Sequence, residues 1–359
     1  MAHLKTANGL LDNKQDLSVS KDIDILRFPM AVCVVAIHTY FNEGLKARGN
    51  VDVPFSGVWA HEFIRFFSIT LTDCAVPMFF VISGFLYFWK TSHLTKDIYC
   101  IKTKKKIIAL MVPFFCWNII TCLINPSRFL SVGLMEKITG FWSMTMEFGH
   151  GAGPWDGPLW FVRDLFIVML CAPVVEWVVR KIKLGGVALL YIPVLMGYDS
   201  IVPGLSVRSF LFFMLGASLA IHHQYVLHSI RLKYILPIGL VFMALRSFCV
   251  GGNVLAECWI LVSMAMYFAL ARKIGERTHN MIIWKRLSAA SFVIYAMHRL
   301  INSKISALGL MLIGKEALTG VEAVTLYIVT ILTTVVVCYV ADAIISHYKL
   351  LSFLLKGAR

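Results

Sequence analysis

The chain has 359 residues, of which 58% are hydrophobic and only 15% are charged. This apolar fraction exceeds that of a typical soluble domain and predicts a polytopic membrane protein built as a single helical bundle. The net charge of +14 does not indicate nucleic-acid binding, because most basic residues fall in loops on one side of the predicted membrane.

The predicted elements begin with a polar stretch, residues 1–21, which is typical of a short cytosolic tail with little fixed structure. About ten apolar segments long enough to cross a membrane follow it. They cover residues 22–41, 63–89, 107–124, 158–179, 184–199, 207–222, 234–250, 254–271, 288–311 and 321–346. We therefore expect an all-α bundle of about ten transmembrane helices over residues 22–348, and a second cytosolic tail at residues 349–359.

The distribution of basic residues predicts the orientation. If the N-terminus lies in the cytosol, the cytosolic side holds most Lys and Arg residues, in clusters at residues 90–106, 180–183, 231–233 and 272–286. The opposite loops hold few of them. By the positive-inside rule we expect both termini in the cytosol and a multi-pass protein of the inner (plasma) membrane. The anionic lipids of the cytosolic leaflet are then partners of the surplus positive charge.

The first apolar segment contains two residues that are costly inside a membrane, Arg27 and His38. They are eleven residues apart, close to three helical turns, so both side chains lie on one face, about 16 Å apart along the axis. Such residues usually face a protein interior or a water-filled cavity and have a function there. The alternative is an Arg that snorkels to the headgroups and a His that packs among helices. Asp24 precedes Arg27 by three residues, which allows an ion pair between them.

A catalytic histidine is normally held in one tautomer by a second group. Asp73, in the outer half of the second segment, and Asp164, near the outer end of the fourth, both lie at a suitable depth, and the sequence does not choose between them. Arg163 and Asp164 can pair with each other, with other helices or with a polar acceptor. His298 lies about 15 Å outward from the start of the ninth segment, a depth comparable to that of His38. An interhelical hydrogen bond is the alternative role for His298.

A basic stretch precedes the third segment. Lys102, Lys105 and Lys106 are expected close together where this helix emerges on the cytosolic side, and lysines there bind either phosphate groups or lipid headgroups. Ser83 in the second segment is a small residue that lets helix backbones approach closely. The long outer loop, residues 125–157, is either a lid or glycan contact, or a surface loop anchored at the interface by its tryptophans. The sequence contains no convincing metal-ligand cluster, so no metal site is predicted.

Several of these motifs together resemble the acyltransferase-3 family of integral membrane acyltransferases. The motifs are DIDILR with a histidine eleven residues after its arginine, FFVISGFL at residues 79–86, the basic stretch leading to Pro113, PLWFV at residues 158–162 and SFVIYAMH at residues 291–298. They occur in the order found in the family and extend from about residue 22 to 348. About ten spanning helices is also the number that the family leads us to expect.

The resemblance implies transfer of an acyl group, most often acetyl, from acyl-CoA to a hydroxyl of a carbohydrate, glycolipid or surface polysaccharide. The essential histidine of the family falls on His38, which would be the general base for a hydroxyl that is a poor nucleophile at neutral pH. The paired arginine falls on Arg27. The family's basic pair, usually arginine, falls in the Lys102–Lys106 stretch, and lysine lacks the bidentate fork that grips a phosphate. Pro77 stands where many members have an acidic residue.

These considerations assign roles to individual residues. We expect catalysis by His38 with Arg27, and donor binding by Arg27, Ser83, Lys102, Lys105 and Lys106. We expect the acceptor at Asp73, Trp160, Arg163, Asp164 and His298. The expected partners are acyl-CoA (acetyl-CoA), a glycan or lipid-linked glycan acceptor and membrane lipids, with no metal and no nucleic acid. A transporter or flippase of a small polar solute or glycan lipid is the alternative, because it would use the same buried polar residues. The lack of a recognisable inverted repeat argues against it.

Overall fold

The computed structural model describes residues 2–41, 44–46, 52–53, 55–143, 153–198, 200–202, 205–222, 226, 229–248, 252–314 and 317–357. The α-helices are α1 (Ala2–Thr39), α2 (Val58–Arg65), α3 (Ala75–Phe88), α4 (Lys96–Lys106), α5 (Val112–Ile124), α6 (Pro126–Leu130), α7 (Leu134–Thr139), α8 (Trp160–Leu170), α9 (Ala172–Ile182), α10 (Leu184–Leu195), α11 (Val207–Ile221), α12 (Leu232–Phe248), α13 (Asn253–Arg277), α14 (Ile282–Ile313), α15 (Gly320–His347) and α16 (Lys349–Lys356). Short π-helical turns, Phe66–Thr70 and Ile107–Met111, follow α2 and α4, and a 3₁₀ turn, Gly157–Leu159, precedes α8.

The described helices support a membrane protein, but they do not confirm ten spans. Four helical runs are long and apolar enough to cross a membrane, namely Val58–Phe88, Lys96–Ile124, Asn253–Arg277 and Gly320–His347. The predicted fourth segment is a broken run, because Gly157–Leu170 and Ala172–Ile182 are bent by 65° where Pro173 cannot donate a backbone hydrogen bond. Counted as one span, this pair raises the number to five. Helix α12 has only 17 residues.

Helix α1 is longer than the sequence predicted. It begins at Ala2, so residues 2–21 continue the first membrane segment as helix and do not form a tail with little fixed structure. Extending an existing helix avoids the cost of nucleating a new one, and these residues include no proline and a single glycine. An ion pair of 3.5 Å between Asp22 and Arg272 ties α1 to α13.

Short strands lie in the connections between helices. β1 (Tyr40–Phe41), β2 (Gly44–Lys46) and β3 (Asp52–Val53) form an antiparallel sheet between α1 and α2. β4 (Ser200–Val202) and β5 (Leu205–Ser206) form an antiparallel pair between α10 and α11. The all-α prediction therefore holds for the bundle and misses these small sheets, whose strands are too short for a period-two pattern to be recognised.

Helices α3 and α11 cross with their backbones in contact. A Cβ atom built on Gly84 of α3 would collide with the carbonyl oxygen of Phe213 in α11. One built on Gly216 of α11 would collide with the carbonyl oxygen of Val81 in α3. Because backbone meets backbone in both directions, both positions require glycine. This crossing holds the FFVISGFL segment rigidly inside the bundle.

Helix α16 packs the C-terminal segment against α5 and α15. The indole N–H of Trp117 donates to the carbonyl oxygen of Leu355 at 3.0 Å. The buried ammonium group of Lys356 lies 2.5 Å from the Asp342 carboxylate and donates to the Ser346 hydroxyl at 2.8 Å. The segment that the sequence assigns to a C-terminal tail is therefore a docked helix.

Candidate active site

Helices α1 and α14 lie side by side and run in the same direction. Near the start of the pair, the Ser288 hydroxyl donates to the Asp24 carboxylate at 2.9 Å. Near its end, the Asn302 amide donates to the Thr39 hydroxyl at 2.7 Å. The two contacts have nearly the same sequence offset (288 − 24 = 264 and 302 − 39 = 263), as a parallel pair in constant register requires.

Between these contacts, the rings of His38 and His298 lie with their centroids 5.0 Å apart. His298 is fully buried, whereas His38 is half-buried. The Nδ1 atom of His298 lies 2.6 Å from the carbonyl oxygen of Tyr295. Because a carbonyl oxygen only accepts, this nitrogen is assigned the ring proton, and in the neutral ring Nε2 carries the lone pair. The site thus contains an oriented, buried histidine beside a more accessible one, an arrangement suited to proton transfer.

A cavity of about 110 Å³, the Arg27 cavity, lies between α1, α3, α8 and α14, and its described lining includes neither histidine. Its polar wall contains Arg27, Ser83 and two serines of α14, and aromatic and aliphatic side chains form the rest. Arg27 lies 4.0 Å from Asp24, and its side chain is 34% exposed. Tyr295 also lines the cavity, and its ring centroid is 6.1 Å from that of His298. The cavity therefore reaches from Arg27 to Tyr295, which lies one helical turn before His298.

The three lysines predicted to bind the donor differ in their surroundings. The ammonium group of Lys102 donates to the Tyr87 carbonyl oxygen at the end of α3, donates to the Thr91 hydroxyl at 2.7 Å and lies 4.7 Å from the Tyr87 ring centroid. Lys105 is exposed and Lys106 is half-buried. Lys102 thus caps the last turn of α3, where a cation satisfies free carbonyl groups. The described lining of the Arg27 cavity contains none of these lysines.

Arg163 and Asp164 form a buried ion pair in the first turns of α8. Their Nε and Oδ1 atoms are 2.8 Å apart, and their side chains are 0% and 3% exposed. A second guanidinium nitrogen of Arg163 donates to the Trp142 carbonyl oxygen at 2.7 Å, and the Ser209 hydroxyl lies 3.5 Å from Asp164. Two elements outside α8 are therefore attached to this pair, which connects the start of α8 to the long loop and to α11.

A second cavity, of about 450 Å³, contains two of the predicted acceptor residues and is called the Asp73 cavity. Asp73, Pro77 and Trp160 line it, together with charged side chains of α11, α12 and α13. The Asp73 carboxylate lies 2.9 Å from Nε of Arg246. The two acids considered as partners of His38, Asp73 and Asp164, are thus both engaged by arginines of their own surroundings.

A third cavity, of about 520 Å³, lies at the end of the bundle formed by the long loop and is called the Asp156 cavity. Asp156 is 1% exposed, and burial raises the pKa of its carboxyl group to about 8 although Arg299 opposes the shift. Its backbone N–H donates to the Asn118 side chain at 2.9 Å. The Arg299 guanidinium packs against Gly157, where any side chain would collide with it. Residues of the long loop, α5 and α14 therefore meet in the wall of this cavity.

A family model described as an acyltransferase domain matches residues 20–343, nearly the whole chain. The chain belongs to the acyltransferase-3 family. Neither the curated proteins nor the solved structures contain a match. As a member of the acyltransferase-3 family, the protein is a membrane acyltransferase. Within the described part of the chain, no group of three or more His, Cys, Asp or Glu residues is placed to hold a metal ion.

The sequence predicts no individual site role for two charged residues of this acyltransferase-3 protein that line a cavity. Asp156 directly precedes the GPLWFV segment, and Arg299 directly follows His298 in an apolar run. The rule that singled out Arg27 applies equally to Arg299, because an arginine within a membrane segment is costly wherever it occurs. The burial of Asp156 depends on loop packing, and no local pattern in the sequence indicates it.

Proposed function

We propose that this protein transfers an acyl group, most simply acetyl, from cytosolic acyl-CoA to a hydroxyl of a carbohydrate acceptor. The observation that carries the proposal is the pair of His38 and His298, together with a narrow cavity whose lining includes Arg27, Ser83 and Tyr295, one helical turn before His298. A membrane acyltransferase needs a base at membrane depth, and this pair would supply one, whereas Asp73 and Asp164 are each paired with an arginine.

The Arg27 cavity suits the pantetheine arm of the donor. Ligand pockets for drug-sized molecules are roughly 300–1,000 Å³, so a cavity of about 110 Å³ fits an extended chain better than a nucleotide. The nucleotide and its phosphates would then lie toward the cytosol, near the exposed Lys105 and the half-buried Lys106. Arg27 would hold the donor where the arm enters, and Ser83 would contact the arm within the bundle. Lys102 would support this end of the site by holding α3 in place.

The transfer step uses His38 as general base. Neutral His38 takes the proton of the acceptor hydroxyl while the oxygen attacks the thioester carbonyl carbon. A carbon–oxygen bond forms, the carbon–sulfur bond breaks, and the CoA thiolate takes the proton from the imidazolium group. His298, buried and held by the Tyr295 carbonyl, would position His38 and stabilise its protonated form. The more exposed histidine is the one that a substrate can reach.

The acceptor would approach from the side opposite the basic clusters, which the positive-inside rule assigns to the non-cytosolic face. Asp73 and Trp160 line a cavity large enough for a sugar unit. Arg163 and Asp164 would hold the start of α8, and with it Trp160, in place for the acceptor.

Mass spectrometry of surface glycans tests the proposal. Cells that lack the gene should lose an acyl modification, which returns with the wild-type gene and does not return with His38→Ala at equal protein level. Unchanged acylation in the deleted strain would refute acyl transfer to a surface glycan. A changed amount of glycan with unchanged acylation would favour the transporter.

A further inference from the structure

The described lining of the Asp156 cavity contains more basic than acidic residues. Arg128, Arg299 and Lys304 line it, and Asp156 is the acidic residue of the described lining. Arg128 and Arg299 are close enough to repel each other electrostatically. The pKa of Asp156, about 8, leaves that carboxyl group mostly protonated at pH 7, so it neutralises little of this charge. An anion in the cavity would relieve the repulsion between the guanidinium groups.

The same wall contains buried polar atoms that can form further hydrogen bonds. The Oδ2 atom of Asp156 and the hydroxyl group of Thr121 are both buried, and neither has a hydrogen-bond partner among the described residues. Buried polar atoms are normally satisfied, so such atoms beside a cavity indicate a bound polar ligand or water. Ser127 and Ser303 add two hydroxyl groups to the lining. Several neutral donors and acceptors around a cluster of cations match a molecule with many hydroxyl groups and a negative charge.

We infer that the Asp156 cavity is a second acceptor subsite, in addition to the sugar position at Asp73 and Trp160, and that it binds an acidic glycan whose carboxylate or phosphate groups are held by Arg128, Arg299 and Lys304. The inference rests on the proposed function and names its substrate class. The lining residues of α14 begin with Arg299, directly after His298, so the cavity lies within a few residues of the histidine pair along this helix. A lipid headgroup offers the same anionic chemistry, but it has fewer hydroxyl groups to match the buried polar atoms of Asp156 and Thr121.

A binding measurement without acyl donor tests the inference separately from acyl transfer. The full chain is placed in nanodiscs of zwitterionic lipid, and fluorescence anisotropy follows a labelled hexasaccharide of alternating glucuronic acid and N-acetylglucosamine. We expect the acidic hexasaccharide to bind at least about tenfold more tightly than its carboxyl-reduced, neutral form. Displacement by glucuronate compared with glucose 6-phosphate then identifies carboxylate or phosphate as the preferred anion.

Variants of residues that line the Asp156 cavity test whether the hexasaccharide binds there. Arg128 and Lys304 are exposed, so Arg128→Ala with Lys304→Ala should fold normally and weaken binding about tenfold. Lys285→Ala, which removes an exposed cation at the other end of α14, is the matched control and should bind as the wild type does. Equal binding of the acidic and neutral hexasaccharides, no binding, or unchanged binding by the double variant would overturn the inference. Displacement of the hexasaccharide by soluble glycerol 3-phosphate, a lipid headgroup, at lower concentration than by glucuronate would assign the cavity to a lipid headgroup and overturn it as well.

Discussion

The buried pair of Arg163 and Asp164 yields a prediction about stability. Replacing Arg163 with Met removes a guanidinium group that is 0% exposed and leaves the Asp164 carboxylate buried without it. It also removes the donor of the 2.7 Å hydrogen bond to the Trp142 carbonyl oxygen. Breaking a buried pair by removing one partner typically costs about 3–5 kcal/mol, because an uncompensated charge remains. We expect a loss of this size for Arg163→Met, and a similar loss for Asp164→Asn.

The double variant distinguishes an ion pair from two independent contacts. With both charges removed, no orphaned charge remains, so Arg163→Met with Asp164→Asn should be more stable than the sum of the single losses by about 1–3 kcal/mol. The assay is unfolding of the purified proteins in detergent micelles, with CoA affinity measured by calorimetry on the folded samples. CoA affinity should be unchanged, since the described lining of the Arg27 cavity contains neither residue.

Additive losses would contradict the coupling between the two charges. Single variants as stable as the wild type that nevertheless lose transfer would refute the structural reasoning. That result would instead assign the pair to direct contact with the acceptor, as the sequence predicts.

Three further predictions concern other parts of the bundle. Gly84→Val should destabilise the protein by about 1–3 kcal/mol, because the added side chain meets the Phe213 carbonyl oxygen, whereas Gly185→Ala, with only ordinary contacts, should not. Asp156→Asn should raise the melting temperature relative to wild type increasingly between about pH 4 and pH 8. In that window the folded protein holds a proton on Asp156 that the unfolded chain has lost, so wild-type stability falls as pH rises; a constant difference would contradict this. Lys102→Met should mainly lower the melting temperature, because Lys102 holds the end of α3. Lys105→Met should mainly weaken CoA binding, because Lys105 is exposed on the cytosolic side.

Sequence reasoning was most informative where a single helix determines the geometry. Helical rise gives His38 and His298 comparable depths, and their rings lie 5.0 Å apart. The three-residue spacing of Asp24 and Arg27 allows an ion pair, and their charged atoms are 4.0 Å apart. Ser83 belongs to a small-residue segment, in which its neighbour Gly84 makes the close crossing with α11.

The sequence was less informative about contacts between distant helices. Periodicity gives the depth and face of a side chain, but it does not identify the helix packed against that face. Asp73 meets Arg246, which is 173 residues further along the chain, and no local pattern indicates this pairing. The same limit applies to Lys102, for which the sequence predicts a donor-binding role but does not indicate the hydrogen bond to the end of α3.

The central claim is that His38 is the general base of acyl transfer, and one measurement tests it most directly. Purified wild type, His38→Ala and His93→Ala are assayed for transfer of labelled acetyl from acetyl-CoA to the acceptor glycan, with CoA affinity measured on the same samples. His93 is an exposed histidine outside the site and serves as the control. We predict that His38→Ala folds, binds CoA as the wild type does and loses at least about 10²-fold in transfer rate. A His38→Ala protein that retains more than about a tenth of the wild-type rate would contradict the claim.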